Sequence, residues 1–450
     1  MSGREPCRRD RLERSLFGAG IAVLLFLAGM AADRYGLFPT PQINAAVDAA
    51  RDWRANWRHY FGIRSKWLEP NRRGSGVTVY DESRAQPGMT FITAYRDGQF
   101  GAYLIDMKGE IRHRWIPDLD KVWRAAGYET PPMPDVEFSI HGADLAPNGD
   151  VILNLAGAGV ARLDRCSRIR WATAFGAHHD LSYLPDGRIV VPGRRVLEAP
   201  YPELPYVRPG PDGTFKDDTL VLLDGNGRML EEISLLKALA ASGRHDLLTA
   251  GPGSGWRIAV RDPLHVNNIE VLTPELAPAF PDFAAGDYLV SMRNLNTLAV
   301  LDGQTLRVKW TQTGPFFGQH DPDFLPDGHI ALFDNRLKGS KPEFGYSRVL
   351  EIDPATHGIV WSYEGSDADP MYSKIGGKVQ WLENGNLLVV SPQEGRVFEL
   401  TREQPARIVW EFVNAVNDAD VGYVFDALRF AEDNLAFLGL PCPAGDEPAS

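Results

Sequence analysis

Hydrophobic and polar positions follow three patterns along the chain. Leu16 to Ala32 are 17 consecutive uncharged, mostly apolar positions, preceded by Arg4, Arg8, Arg9, Arg11 and Arg14. As a helix that run spans about 26 Å, near the hydrocarbon thickness of a bilayer. Ile43, Ala46, Val47, Ala50, Trp53, Trp57 and Tyr60 then recur mostly at spacings of three and four. Asp48, Arg51, Asp52, Arg54 and Arg58 lie between them, so the pattern predicts an amphipathic helix over 41–61. From Gly74 onward, short β-branched and apolar runs alternate with Gly, Asp, Asn and Pro clusters, which predicts strands and tight turns.

The strand region repeats itself. One element is a turn: Pro147-Asn148-Gly149, Pro185-Asp186-Gly187, Pro326-Asp327-Gly328 and Glu383-Asn384-Gly385. Asn-Gly and Asp-Gly supply the positive φ that two-residue hairpins need. A second element is an apolar run ending in a polar residue, then a turn, then a strand that usually carries Trp. Tyr103–Asp106 precedes Trp115, Ala161–Asp164 precedes Trp171, and Ala299–Asp302 precedes Trp310. Leu350–Asp353 precedes Trp361, and Phe398–Thr401 precedes Trp410. Val221–Asp224 lacks the Trp, and its repeat carries insertions at 199–218 and 234–249. Six units of four strands predict an all-β, six-bladed β-propeller over residues 74–440, closed with help from 423–438.

The N-terminal segment reads as an address or an anchor. By the positive-inside rule, residues 1–15 form a cytoplasmic basic segment and 16–34 a transmembrane anchor. A cleaved signal peptide shares the charged start and the apolar run, and Gly29 and Ala31 would suit its peptidase. Residues 40–68 then form a juxtamembrane helix and linker. Its Trp and Tyr residues suit a membrane interface, but the expectation is that the stripe packs on the chain's own domain. The predicted location is the inner membrane, single-pass, with the propeller on the extracytoplasmic side.

Composition narrows the chemistry. With 44 Gly and 33 Pro in 450 residues the chain is turn-rich, and 44% hydrophobic residues suffice for a packed core. A net charge of −12 removes nucleic acid as a partner. The cysteines are Cys7, Cys166 and Cys442, with no CxxC pair, so no zinc cage or thioredoxin-type motif is offered. At most Cys166 and Cys442 pair, a question left open.

Counting back eight residues from the turn glycines brings histidines into one repeat position. Gly149 leads to His141, Gly187 to His179 and Gly328 to His320, while Gly385 leads to Gly377 and Gly98 to Thr90. His265 starts the corresponding strand of repeat four, where an insertion over 274–285 hides the turn. The first strand of each blade lines a propeller's channel, so these imidazoles are expected to face one another.

Around them stand His178-His179-Asp180, His265-Val266-Asn267-Asn268, Ser291-Met292-Arg293 and the run from Gln319 to Asn335, QHDPDFLPDGHIALFDN. In these motifs the chain resembles the bacterial arylsulfotransferases, the aryl-sulfate sulfotransferases that work without a nucleotide sulfate donor. The resemblance is to a short, membrane-anchored member, because known members carry a further N-terminal β-domain. It implies a ping-pong transfer of a sulfuryl group from an aryl sulfate to a phenol through a sulfohistidine at His320. It further implies that His179, His265 and Arg293 are catalytic. Asn267, His141 and His178 are taken as substrate-binding, and no cofactor or metal is expected. Phe316, Phe317 and Tyr183 are either aryl-stacking or core residues. Two rival readings use the same histidines differently: a metal-dependent propeller hydrolase or lyase, and a non-catalytic membrane-bound scaffold.

Overall fold

Each predicted repeat folds as an antiparallel sheet, and six such sheets close a ring in the computed structural model. It describes the helix Arg8–Tyr35 (side chains over 16–32), scattered positions between 43 and 61, and residues 63–442 except 185, 200, 205–206, 208–209, 211–213, 250–261 and 337–344. Blade two is Ile140–Leu145, Val151–Leu155, Gly159–Leu163 and Ile169–Ala174, in sheet order from channel to rim. Blade three is Ser182–Tyr183, Ile189–Leu197, Phe215–Leu223 and Met229–Ser234. Blade four is Val266–Val271, Tyr288–Met292, Thr297–Leu301 and Val308–Thr313. Blade five is His320–Phe324, Ile330–Asp334, Arg348–Asp353 and Gly358–Glu364.

The ring closes twice. Blade one takes its innermost strand, Val424–Phe430, from the end of the chain and adds Met89–Arg96, Gln99–Ile105 and Ile111–Trp115. Blade six comprises Lys378–Trp381, Leu387–Ser391, Arg396–Leu400 and Ile408–Val413, and gains Gly76–Tyr80 as a fifth, outer strand. The expected closure over 423–438 is therefore observed. It also corrects the repeat alignment in blade one. Thr90 lies on the second strand, opposite Arg429, and does not face the channel as His141 does.

The recurring tryptophans lock neighbours together. Trp171, Trp310 and Trp410 donate their indole N–H to Gly225, Pro354 and Met107, in the outer hairpin of the next blade, at 3.2, 2.8 and 3.0 Å. Gly227 has φ +80°, and a Cβ there would lie 2.3 Å from the Trp171 ring, so the turn glycine also seats the indole. Buried apolar side chains gather between adjacent blades: Phe91, Trp115 and Leu153 between blades one and two, and Leu332, Leu350 and Val300 between four and five. Each fully buried Leu or Phe contributes roughly 1.5–3 kcal/mol.

The repeat-three insertion over 234–249 forms the helices Leu235–Ala241, capped by Ser234, and His245–Thr249. Cys166 and Cys442 are bonded, which fastens the chain end to blade two. The apolar run lies in the 28-residue helix Arg8–Tyr35, and its described side chains are mostly exposed. Among the described residues no helix is long and apolar enough to cross a membrane. Of the 40–68 segment, much of 41–61 lies outside the described residues. Positions 43, 46, 47, 50, 53, 54 and 57–59 are helical. Ile43, Val47, Trp53 and Trp57 are exposed, so the stripe does not pack on the propeller as expected. Among the described residues the segment docks at its end, where His59 is buried against Glu137.

The Cys166–Cys442 bond spans 276 residues, so Cys442→Ser should cost about 2–4 kcal/mol. Calorimetry should show a lower Tm for the variant and for the reduced protein. Identical melting would contradict a supporting role for the bond.

Candidate active site

Backbone irregularity aims the channel residues. The ladder breaks between Ile140 and Ala143, Val266 and Asn268, His320 and Asp323, and Val424 and Asp426. Such bulges on inner strands re-aim side chains. His179, His265 and Asp321 have φ of 61°, 49° and 50°, a region L-residues enter only under constraint. In blade six Gly377 holds the equivalent position with φ +129°, and a Cβ there would lie 2.4 Å from the Phe333 ring.

These devices bring the predicted histidines together at the head of a cavity of about 480 Å³. His179 is the hub: its ring centroid lies 5.4 Å from His141, 5.1 Å from His178, 5.4 Å from His265 and 5.9 Å from His320. Arg293 and Asn267 line the same cavity, as do Arg194, Phe425, Ile375 and Val196, and Asp180, Asp321 and Lys378 reach it from below. Phe316 is buried in the core, and Phe317 and Tyr183 do not line the cavity. The aromatic wall is Phe425, 4.5 Å from His141.

Hydrogen bonds assign the tautomers. His320 Nδ1 faces two acceptors, Asn335 Oδ1 at 2.7 Å and the Gly318 carbonyl at 3.1 Å, so it carries the proton. Asn335 is itself oriented, because its amide donates to the Ser373 and Gly376 carbonyls. The lone pair of neutral His320 therefore sits on Nε2. His265 Nδ1 donates to Asp262 at 2.8 Å. His178 Nε2 donates to the Gly193 carbonyl at 3.1 Å, so its Nδ1 accepts from His179 Nδ1 at 2.9 Å. His178 thus positions His179 rather than fronting the cavity alone. Asn267 gives its amide to the Gln319 carbonyl at 2.7 Å, beside His320, and its Oδ1 is buried without a partner.

Charge is layered below the imidazoles. Burial, followed by the neighbouring cationic groups, lowers His320 to about 3; burial and the neighbouring histidines lower His141 to about 3. These rings are neutral at pH 7. Arg293 is lowered by burial, and its side chain's one hydrogen bond among the described residues goes to Asn294 Oδ1 at 3.3 Å. A half-buried guanidinium with so few acceptors, lining the cavity, can hold an anion that enters it. Beneath lies Lys378, bonded to Asp180 and, at 3.0 Å, to Asp321. Burial disfavours its charge, but Asp180, Asp321, Asp426 and Asp323 outweigh it and raise its pKa. Burial, with carboxylates crowding one another, raises Asp321 and Asp426 despite Lys378.

Repeat counting did not single out Lys378, Asn335, Asp262 or Phe425. Lys378 was one residue from the counted Gly377, and Phe425 was concealed by closure from the C-terminus. Among the described residues, one group of three His, Cys or carboxylate side chains has donor atoms within 4.8 Å: Asp327, His329 and Glu351, off the channel. Arg402 already pairs with both of its carboxylates.

Three comparisons bear on the site. A family model described as arylsulfotransferase (ASST) matches residues 142–415. No curated protein sequence matches the chain. Similar solved structures include a Bacteroides caccae protein of unknown function, 13% identical, TM-score 0.44, covering 76% of this chain and 98% of that one. The Neurospora crassa Pan2 WD40 domain is 11% identical, TM-score 0.41, covering 79% and 90%. Virginiamycin B lyase from Staphylococcus aureus is 11% identical, TM-score 0.34, covering 61% and 70%. At these TM-scores the likenesses carry no argument.

The raised carboxyl groups have a signed consequence. An unfolded Asp ionises near pH 4, whereas folded Asp426 holds its proton to higher pH. Its contribution is therefore complete below about pH 4 and is lost as pH rises toward neutrality. Asp426→Asn mimics the protonated form at every pH. Its stability relative to the native chain should rise from pH 4 toward pH 8 in urea titrations; a constant difference would contradict the assignment.

Proposed function

The chain belongs to the arylsulfotransferase family, and on that premise we propose that it moves a sulfuryl group from an aryl sulfate to a phenol through His320. The observation that carries this reading is the fixed Nδ1–H of His320, which leaves the Nε2 lone pair available beside the poorly paired Arg293. A neutral imidazole is a competent nucleophile, and burial keeps this one neutral well into acid.

In the first half-reaction His320 Nε2 attacks sulfur. The N–S bond forms, the S–O(aryl) bond breaks, and its electron pair leaves on the phenolate oxygen. That oxygen takes a proton from His265, whose Nδ1–H is held by Asp262 as an imidazolium requires. In the second half-reaction the acceptor phenol returns its proton to His265 while its oxygen attacks sulfur. The N–S bond then breaks and its electron pair goes back to Nε2. The loose transition state spreads charge over the sulfuryl oxygens, where Arg293 is the fixed cation. A bound anion beside His179 offsets the burial that disfavours its charge. His141 and Phe425 wall the aryl side.

The chain is further proposed to be anchored by Arg8–Tyr35, with the propeller extracytoplasmic. The arginine-rich start and the Cys166–Cys442 bond support this, since disulfides persist in oxidising compartments.

With an aryl sulfate whose leaving phenol is coloured and acidic, His320→Ala should release no phenol, and Arg293→Met should slow release by roughly 10²–10³. Turnover by His320→Ala would contradict the reading. The single-turnover rate should stay level from pH 8 to about 5, because His320 titrates near 3. A fall by half at about pH 6.5 would instead mean an ordinary histidine.

A further inference from the structure

The inner strands all start at one end of the ring, and the histidines sit at those starts. His320 begins its strand, His265 precedes Val266, and His141 is second in Ile140–Leu145. The cavity therefore opens at that end. The N-terminal linker docks at the same end. Trp67 donates to the Val136 carbonyl at 3.0 Å, and Leu68–Pro70 pairs with Asp420–Gly422. Both partner segments lie just before an inner strand, at Ile140 and Val424. Two ring contacts join the linker to the site: Trp67 to Phe425 at 5.8 Å, and Phe425 to His141 at 4.5 Å.

That end carries exposed apolar side chains. Phe61 is 67% exposed, Ile63 62%, Val136 46%, Val196 58% and Phe317 40%. Val196 lies near the end of the strand Ile189–Leu197, which runs back toward the mouth, and also lines the cavity. Upstream, Ile43, Val47, Trp53 and Trp57 are exposed at helical positions. The helical period predicted from the sequence, 3.6 residues per turn, puts them with Phe61 within roughly 120° of arc. An apolar stripe rich in Trp, with Arg54 and Arg58 along one edge, suits a lipid interface, where long cationic side chains reach out to the headgroups. In sequence it lies between the helix Arg8–Tyr35 and the docked linker strand Leu68–Pro70.

We propose that the mouth of the cavity faces the bilayer, and that one of the two exchanged phenols is a membrane-soluble phenol or quinol carrying an alkyl tail. The proposal rests on the sulfotransferase reading for its chemistry and on the linker for its orientation. The occupant of the apolar rim is the lipid surface, because the rim is continuous in sequence with the Trp-rich stripe, whose described side chains are exposed.

The test uses the full chain in lipid nanodiscs, read in two ways. Diazirine-bearing phospholipid should label peptides containing residues 53–66, Val136, Val196 and Phe317. Label concentrated on the opposite-end turns at Gly187, Gly328 and Gly385 would overturn the orientation. In acceptor assays, KM should fall roughly tenfold or more from phenol to long-chain 4-alkylphenols. Combined Trp53→Glu, Trp57→Glu, Phe61→Glu and Ile63→Glu substitutions should erase that preference and leave turnover of phenol itself unchanged. Equal KM across the series with brisk turnover would overturn this inference and spare the sulfotransferase reading. No turnover with any phenol would sink that reading, while the labelling still decides the orientation.

Discussion

One buried ammonium group organises the channel. Lys378 comes from blade six and meets Asp180 of blade three and Asp321 of blade five. Asn268 of blade four donates to the same two carboxylates, at 3.0 and 3.2 Å. Asp321 also accepts the Val379 amide at 2.7 Å, and Asp426 accepts the Ala143 amide at 2.8 Å, so carboxylates link inner strands of adjacent blades. Because Asp180 and Asp321 directly follow His179 and His320, the layer that ties the blades also sets the imidazoles above it. Removing one partner from such a network leaves charge buried and unpaired, which is strongly destabilising.

The two layers divide the work. Carboxylates and lysine below are structural and largely neutralise one another. Burial keeps His141, His178, His179 and His320 neutral, so among the described residues the cavity's fixed, sparsely paired cation is Arg293, with Arg194 held by Asp218 at 2.9 Å. An acidic exterior and a local cation in a partly buried cavity are compatible, since the field there depends on near neighbours rather than on net charge.

Much of this arrangement was legible in the sequence because hairpin geometry is local. A turn glycine fixes where a strand begins, so counting from Gly149, Gly187 and Gly328 located His141, His179 and His320. The recurrent Trp was visible too, though not its bond to the next blade. What stayed hidden depends on distant chain. Phe425 reaches the channel only through C-terminal closure, which is why Thr90 took its place in the count. Asn335 and Asp262 matter through single hydrogen bonds, which leave no periodic trace. The stripe from Ile43 to Trp57 has a helical period that says which face is apolar, but not what covers it.

The central claim is that His320 Nε2 receives the sulfuryl group. The direct measurement is to mix the protein with an aryl sulfate and no acceptor, quench in alkali to preserve an N–S bond, and map the adduct by peptide mass spectrometry. One sulfo group per chain on the peptide containing His320, discharged on adding a phenol, is the predicted result. Full turnover with no adduct, or with an adduct on another residue, would contradict it.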